Sequence, residues 1–404
     1  MISISEALSL CREAVRPLPQ VTLGLEAALG RVVAQAPASA VDLPPFPQSG
    51  MDGYAVVAAD TRGATPQSPV RLRRSGVVAA ATQDRWPEIE SGHAARIFTG
   101  GVVPKGADAV VRQEIVTVDG DDVLLSEPVP EGNNVRAQGE ELTVGTPLME
   151  AGNRLTPARL ASLAAAGVEE VTVYRAPAVR VIITGDEVKP IGEPLPLGAV
   201  NDANGPFLRA WLRDRGITDV RVHYVSDDDV SHREALSECL EDGDLVVTAG
   251  GVSVGEKDLV IPVAESLGVE RLFWRVRQKP GKPLYLGVGE RGVPLLGLPG
   301  NPATVVVGAN VYLRCLLDGL DGVSATAPCF HQGVAASPIP RDSKRDCWVR
   351  GRWETDATGV VRLSPLSGQA SHMLSNLAAA DALMYVPAGE GDLPADTAVP
   401  WLTL

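Results

Sequence analysis

Residues 244–258 read Asp-Leu-Val-Val-Thr-Ala-Gly-Gly-Val-Ser-Val-Gly-Glu-Lys-Asp, a short apolar run that breaks into glycines and hydroxyls and ends on a carboxylate. Gly250, Gly251 and Gly255 carry no Cβ, so the backbone can adopt positive φ and turn its N–H groups, with the Ser253 hydroxyl beside them, toward an anion. Asp258 would then hold a cation next to that anion. Glycines after a strand also make plain tight turns, and for this loop taken singly both readings stay open. Two loops of the same make-up follow, Lys279-Pro-Gly-Lys282-Pro283 and Gly297-Leu-Pro299-Gly-Asn301-Pro302, each beside an apolar run. Arg275, Arg277, Lys279 and Lys282 form one dense basic cluster next to a glycine turn. It could supply the charge that an anionic substrate needs, although a solvated strand face has the same composition.

Carboxylates cluster in the same half of the chain. Thr184-Gly-Asp186-Glu187 ends the apolar run 179–184, and Asp227 and Asp228 follow the run 220–225. With Asp258, these acids fall at the ends of predicted strands, where they could bind Mg²⁺ or work as an acid/base pair. Earlier segments carry a second set. Pro44-Pro-Phe-Pro-Gln-Ser-Gly-Met-Asp52-Gly-Tyr-Ala55 is a rigid proline-rich entry to a strand. Thr99-Gly-Gly-Val-Val-Pro-Lys-Gly-Ala-Asp108 is another glycine and hydroxyl loop, and residues 134–141 bring Arg136 together with Glu140 and Glu141. Each of these, taken separately, is ordinary loop chemistry.

The elements that must position these groups follow from periodicity. Residues 1–40 read as helices broken by Pro17, Pro19 and Pro37, with Leu23, Leu25, Ala28, Leu29 and Val32 at helical spacing and Ser3 and Glu6 at capping-box spacing. Residues 41–144 carry short β-branched runs between Gly, Pro and Asp turns, a compact β pattern. Thr156-Pro157 opens a helix that Gly167 stops. From 177 to 325 strand and helix patterns alternate: 179–184, 205–215, 220–225, 231–240, 245–248, 259–267, 294–298 and 303–317. That order predicts a mostly parallel sheet with helices on both faces, whose ligands bind beyond the carboxyl ends of the strands. The loops after 184, 249 and 298 all fall there. Residues 326–404 return to short strands. The expected architecture is multidomain α/β plus β: a helical linker or dimerisation domain from 1–40 and 145–176, a β-rich domain at 41–144, a three-layer α/β domain at 177–325 and a C-terminal β domain at 326–404.

Composition bounds the function. A chain of 404 residues exceeds one ordinary core, since domains usually run to about 100–200 residues. The net charge of −14 repels nucleic acid, and no lysine-rich run or basic–aromatic interleaving offsets it. Apolar runs are interrupted short of the roughly 18 residues of a membrane span, so the stretch around 305–313 reads as a buried helix and the chain as cytoplasmic, without membrane contact. Five cysteines, odd in number and widely spaced, argue against a disulfide framework or structural zinc. The five histidines lack metal-ligand spacing.

The order and wording of these segments resemble the molybdopterin molybdenumtransferase family over essentially the whole chain. The resemblance rests on Pro45-Phe-x-x-Ser-x-Met-Asp-Gly-Tyr-Ala55, Thr99-Gly-x-x-x-Pro-x-Gly-Ala-Asp-Ala-Val-Val111, Asn134-Val-Arg136 with Gly139-Glu140, Thr184-Gly-Asp-Glu187, Gly250-Gly-Val-Ser-Val-Gly255 with Asp258, Lys279-Pro-Gly-Lys-Pro283 and Gly297-Leu-Pro-Gly-Asn-Pro302. Glu141 is the departure, standing where Asp is usual. The resemblance implies a central domain of the molybdopterin-binding type and an enzyme that takes adenylylated molybdopterin and molybdate, releases AMP in a Mg²⁺-dependent step and leaves molybdenum on the dithiolene sulfurs. It implies catalytic roles for Asp52, Thr99, Glu187 and Asp258, and Mg²⁺ on Glu187, Asp227 and Asp258. Substrate would meet Arg136, Glu141, Gly250, Gly251, Ser253, Gly255, Lys279, Lys282, Pro299, Asn301, Pro302 and Ser371. It further implies a homodimer, with the cleft between the α/β domain of one subunit and the first β domain of the other, and exchange with molybdopterin adenylyltransferase and downstream cofactor-handling proteins. Two alternatives share the fold: the adenylyltransferase reaction itself, and a non-enzymatic scaffold.

Overall fold

A computed structural model describes residues 1–82, 86–323 and 328–404; the expected domain boundary at 325/326 lies outside them. The α/β unit is a six-stranded sheet. Val220–Val225, Val179–Thr184, Leu245–Ala249 and Pro294–Leu298 lie side by side in that order and run parallel. Tyr285–Val288 then pairs antiparallel with Pro294–Leu298, and Glu270–Trp274 antiparallel with Tyr285–Val288. The sequence reading passed over these last two strands. The mostly parallel sheet it predicted is otherwise present.

Both faces of the sheet are covered, which is why its central strands are continuous apolar runs. Val179, Val181 and Ile183 pack on one side with Leu208, Leu212, Leu316 and Leu317, whereas Ile182 packs on the other with Leu236, Cys239 and Val263. Helices Asn204–Asp214 and Pro302–Gly308 thus cover one face, and Asp229–Asp242 and Val260–Ser266 the other. The helix opened by Pro302 continues through a π turn at Ala309–Leu313 to Leu320. By length and composition Pro302–Leu320 could cross a membrane, yet its most apolar window is 89% buried inside the fold. It is a core helix.

The N-terminal region corrects one expectation. Ile4–Glu13 is a helix with Ser3 and Glu6 forming the capping box, but it docks onto the α/β core through Ile4, Ala7, Leu8 and Cys11. Residues 20–24, read as helical, form a strand paired antiparallel with Glu170–Tyr174, and Val32 and Val33 bridge to Arg154 and Val173. Leu23, Leu25 and Ala28 serve a small core with Leu155, Leu163 and Val171, whereas Leu29 is exposed. Pairing with a distant strand overrode the local pattern, the usual fate of a short apolar run. The helix Pro157–Ala165, capped by Thr156, completes this unit.

The β-rich region is a six-stranded sheet in the order Ala109–Arg112, Gly53–Val56, His93–Ile97, Val70–Val78, Asp122–Leu125, Val116–Asp119. In the C-terminal region His331–Ala335, Ala398–Thr403, Ala382–Val386, Asp346–Thr355 and Val361–Pro365 close into a barrel, because Asp346–Thr355 pairs with both Val361–Pro365 and Ala382–Val386. Closure leaves no free edges in the ring. The strand Gln278–Lys279 of the central unit adds to it beside Asp346 and Cys347. Cys11, Cys239, Cys315 and Cys347 are buried thiols.

The entry to the α/β sheet is clamped by charge. Arg175 donates from both terminal nitrogens to Asp244, at 2.6 Å each, and Ala178 N–H donates to the same carboxylate at 2.8 Å. Burial pushes the Asp244 carboxyl up, but Arg175 and the Ala178 N–H outweigh it and leave its pKa below the usual value. A depressed native pKa gives stability that is present above the unfolded value of about 3.9 and lost as pH falls through the native one. Asp244→Asn therefore lowers the melting temperature at pH 7, and the gap to the parent protein narrows as pH falls below about 4, measured by thermal denaturation at both pH values.

Candidate active site

Thr184, Ala249 and Leu298 end adjacent parallel strands, so the loops that follow them open at one edge of the sheet. After the 179–184 strand the chain crosses to 220–225 on one side and then to 245–249 on the other. That reversal is the place where open α/β sheets bind ligands. A cleft of about 460 Å³ lies there.

Its floor depends on Gly250. The residue has φ +108°, and its N–H donates to Leu298 O at 2.8 Å. A Cβ at this position would collide with the Thr184 hydroxyl. Gly251, with φ +70°, lies beside it, and a Cβ there would collide with the Val260 side chain. Asn301 and Pro302 form the next stretch of wall. Asn301 also donates to the Ser371 hydroxyl at 3.3 Å, which brings the C-terminal loop to the rim. Arg350, buried in the barrel, holds that loop by donating to the carbonyls of Gly368, Ala370 and Met373.

The acidic wall is made by Glu187, Asp227 and Asp258. Asp186 and Asp227 are laced together, since each backbone N–H donates to the other's carboxylate, at 3.5 and 3.2 Å. Lys257 reaches across from the glycine loop, with its ammonium 3.2 Å from Asp186 and 3.6 Å from Asp227. The hydrogen bond from Asp227 N–H, and then Lys257, hold the Asp186 carboxyl below its usual pKa; Asp186 and Asp227 raise that of Lys257. Asp258 accepts from Ser253 N–H at 2.9 Å and Gly255 N–H at 2.6 Å. Two amides assigned to an incoming anion from sequence are thus already engaged, and Asp258 is the residue that shapes the loop.

Other expectations are redistributed. Lys279 does not line the cleft; it pairs with the barrel strand and lies 3.7 Å from Asp342, beside a separate cavity of about 530 Å³. Arg275 stacks on Trp274 at 4.0 Å, and Lys282 is exposed. The basic cluster is therefore spread over the junction with the barrel, and Lys257 is the ammonium that faces the cleft. Pro299 lies just before the cleft wall, outside its lining. Asp52 and Thr99 meet directly: Thr99 N–H and Oγ1 donate to one carboxylate oxygen of Asp52 at 2.8 and 2.7 Å, which lowers the Asp52 pKa. Arg136 pairs with Gln48 nearby, and Glu141 is exposed with its N–H on Leu43 O. None of these four lines the cleft.

Sequence reading missed Asp202 and Asn204, which line the cleft from the start of the Asn204–Asp214 helix. Asp202, buried, accepts from Asn204 N–H, Gly205 N–H and the Tyr224 hydroxyl. Asn204 donates to Gly300 O at 2.8 Å, tying the helix start to the third loop. The signal was present in Asn201-Asp-Ala-Asn204, four residues suited to a helix entry.

Residues 2–167 match the family model of the MoeA N-terminal region (domain I and II), residues 180–318 that of a probable molybdopterin binding domain, and residues 332–404 that of the MoeA C-terminal region (domain IV). A molybdopterin molybdenumtransferase of Nostoc sp. is 34% identical over 371 residues, covering 91% of this chain and 84% of its own length. The chain belongs to the molybdopterin molybdenumtransferase family. A Haemophilus influenzae protein of the same name is 32% identical over 99% of this chain and 98% of its own. The crystal structure of the molybdopterin biosynthesis moea protein from Pyrococcus horikosii superposes with a TM-score of 0.83 at 29% identity, covering 100% of this chain and 99% of that one. The family's three matched regions include every strand end that builds the cleft. Because the floor requires Gly250 to lack a Cβ, Gly250→Ala lowers substrate affinity at least about tenfold. Gly24→Ala, whose Cβ meets nothing within 4 Å, leaves it unchanged; equilibrium binding to both variants is the check.

Proposed function

We propose that this chain is a molybdopterin molybdenumtransferase that binds adenylylated molybdopterin and molybdate in the cleft at the 184, 249 and 298 strand ends, releases AMP and leaves molybdenum on the dithiolene. The observation that carries this reading is the meeting, in one cleft, of the Gly250–Gly251 turn, the carboxylates of Glu187, Asp227 and Asp258, and the Lys257 ammonium. The Lys257 ammonium suits phosphate and molybdate oxygens, while the amides of Gly250, Ser253 and Gly255 are bonded within the protein and fix the shape of the turn. Hydrolysis of the phosphoanhydride consumes one water, breaks a P–O bond and leaves a phosphate on the pterin product.

A divalent cation fits the donor set. Among the described residues no three His, Cys, Asp or Glu side chains form a closed metal-binding group, but Mg²⁺ commonly takes only one or two carboxylates and completes its shell with water and substrate phosphates. Glu187, Asp227 and Asp258 would hold it, and it would neutralise charge on the phosphoanhydride oxygens. Asp52, fixed by Thr99, would orient or accept a proton from the attacking group.

The separation of the two residue sets supports a homodimer. Asp52, Thr99, Arg136 and Glu141 do not line the cleft of their own chain, and the β-rich region of a second copy would deliver them. Exposed apolar side chains support such a contact on both sides: Phe46, Met51 and Phe98 around Asp52, and Ile191, Leu195, Leu197 and Val200 on the arm beside the cleft. We place the reaction in the cytoplasm, where reduced cysteines persist.

Purified protein given adenylylated molybdopterin, molybdate and Mg²⁺ releases AMP in a molybdate-stimulated manner and yields active cofactor; absence of that stimulation overturns the reading, and ATP consumption with free molybdopterin would point to the adenylyltransferase. For the shared site, Asp52→Ala and Glu187→Ala are each inactive alone. Mixed after subunit exchange, they regain up to about a quarter of parental activity, since half the dimers hold one intact site of two. No recovery in verified heterodimers would refute the intersubunit arrangement.

A further inference from the structure

We propose that Lys257 is the resident counter-ion of the acidic edge, occupying it with its ammonium until a divalent cation displaces it. The inference rests on the reading of the cleft given above. Asp186 and Asp227 sit on two different loops held together by their reciprocal N–H bonds, a like-charge pair that needs positive charge nearby. Lys257 supplies it, reaching both carboxylates from the 250–258 loop at 3.2 and 3.6 Å.

Two properties make the ammonium displaceable. Its side chain is 69% exposed and that of Asp186 is 55% exposed, so the pair sits in high dielectric where ion pairs contribute little. The unbranched four-carbon stem lets the charge swing away without moving the backbone. Asp227, by contrast, is only 11% exposed and keeps its position when Lys257 leaves. A divalent ion brings twice the charge to the same carboxylates and can also coordinate Glu187, which lines the same cleft and forms no ion pair among the described residues. Before the cation arrives Lys257 offsets part of the charge of the acidic edge; afterwards its ammonium is free to meet the substrate's oxyanions. Cation entry and the arrival of a mobile positive charge at the substrate are then one event.

The test uses the full-length protein and Mn²⁺ alone, with binding read by electron paramagnetic resonance of the free ion, so that no turnover is involved. Lys257→Met should bind Mn²⁺ roughly fivefold or more tightly than the parent, because the competing charge is gone. Lys257→Arg, which keeps the charge, should bind no more tightly than the parent, and adding Asp227→Asn to Lys257→Met should remove the gain. Equal or weaker Mn²⁺ binding by Lys257→Met, or no binding by either protein, overturns the proposal. So does a gain that survives Asp227→Asn. Molybdate-stimulated AMP release by the parent protein is scored separately: its absence with the Lys257→Met gain intact would sink the proposed reaction while leaving Lys257 as the competitor of the ion.

Discussion

Everything in the cleft is placed by one close approach, the contact of the Gly250 backbone with Thr184 on one side and the 298–300 turn on the other. The Gly250 N–H is bonded to Leu298 O, the Thr184 hydroxyl occupies the space a Cβ would take, and Gly300 faces the Gly250 Cα with no side chain between them. Three strand ends are thereby drawn onto a single residue. The acids after 184, the anion turn after 249 and Asn301 after 298 then stand around one space rather than splaying along the sheet edge. Parallel register brings the strands level; the missing Cβ brings the loops together.

Much of this was legible because strand periodicity and turn chemistry are local. The four parallel strands, the helices that cover them and the clustering of Glu187, Asp227, Asp258, Gly250 and Asn301 follow from apolar runs that end in glycine or acid. What escaped was decided by distant partners. The 20–24 segment has leucines at helical spacing and became a strand because Glu170–Tyr174 lies alongside it. Lys279 stands in a glycine turn of suitable composition, yet its backbone is claimed by Asp346 and Cys347 of the barrel. Asp258 illustrates a subtler limit. A carboxylate three residues after Gly255 is well spaced to accept the loop's own N–H groups, and that intramolecular bond competes with the ligand role its type suggests.

The chain carries a net charge of −14, so long-range attraction cannot concentrate an anionic substrate. Recognition must come from short-range donors. The amides of Gly250, Ser253 and Gly255 are bonded within the protein, so Lys257 takes on that task as a single mobile charge beside carboxylates that attract cations. The cleft thus presents both signs within a few side chains.

The two edges of the central sheet show how stability and chemistry are kept apart. At the amino edge the ion pairs are multiply bonded, and the central cation is buried. Arg180, with a side chain only 3% exposed, is held by Asp242 at 2.8 Å and Asp219 at 2.9 Å, and Asp244 takes both nitrogens of Arg175. At the carboxyl edge the Lys257 ammonium is exposed and its contacts are longer, to the exposed Asp186 and to the shielded Asp227. Strong, dry pairs resist exchange, since breaking one leaves an uncompensated charge; wet pairs yield to a ligand at small cost. The same residue types therefore lock the sheet where the chain enters it and leave it open to ligands where the chain departs, and the burial of the cation together with the number of bonds it makes sets the difference.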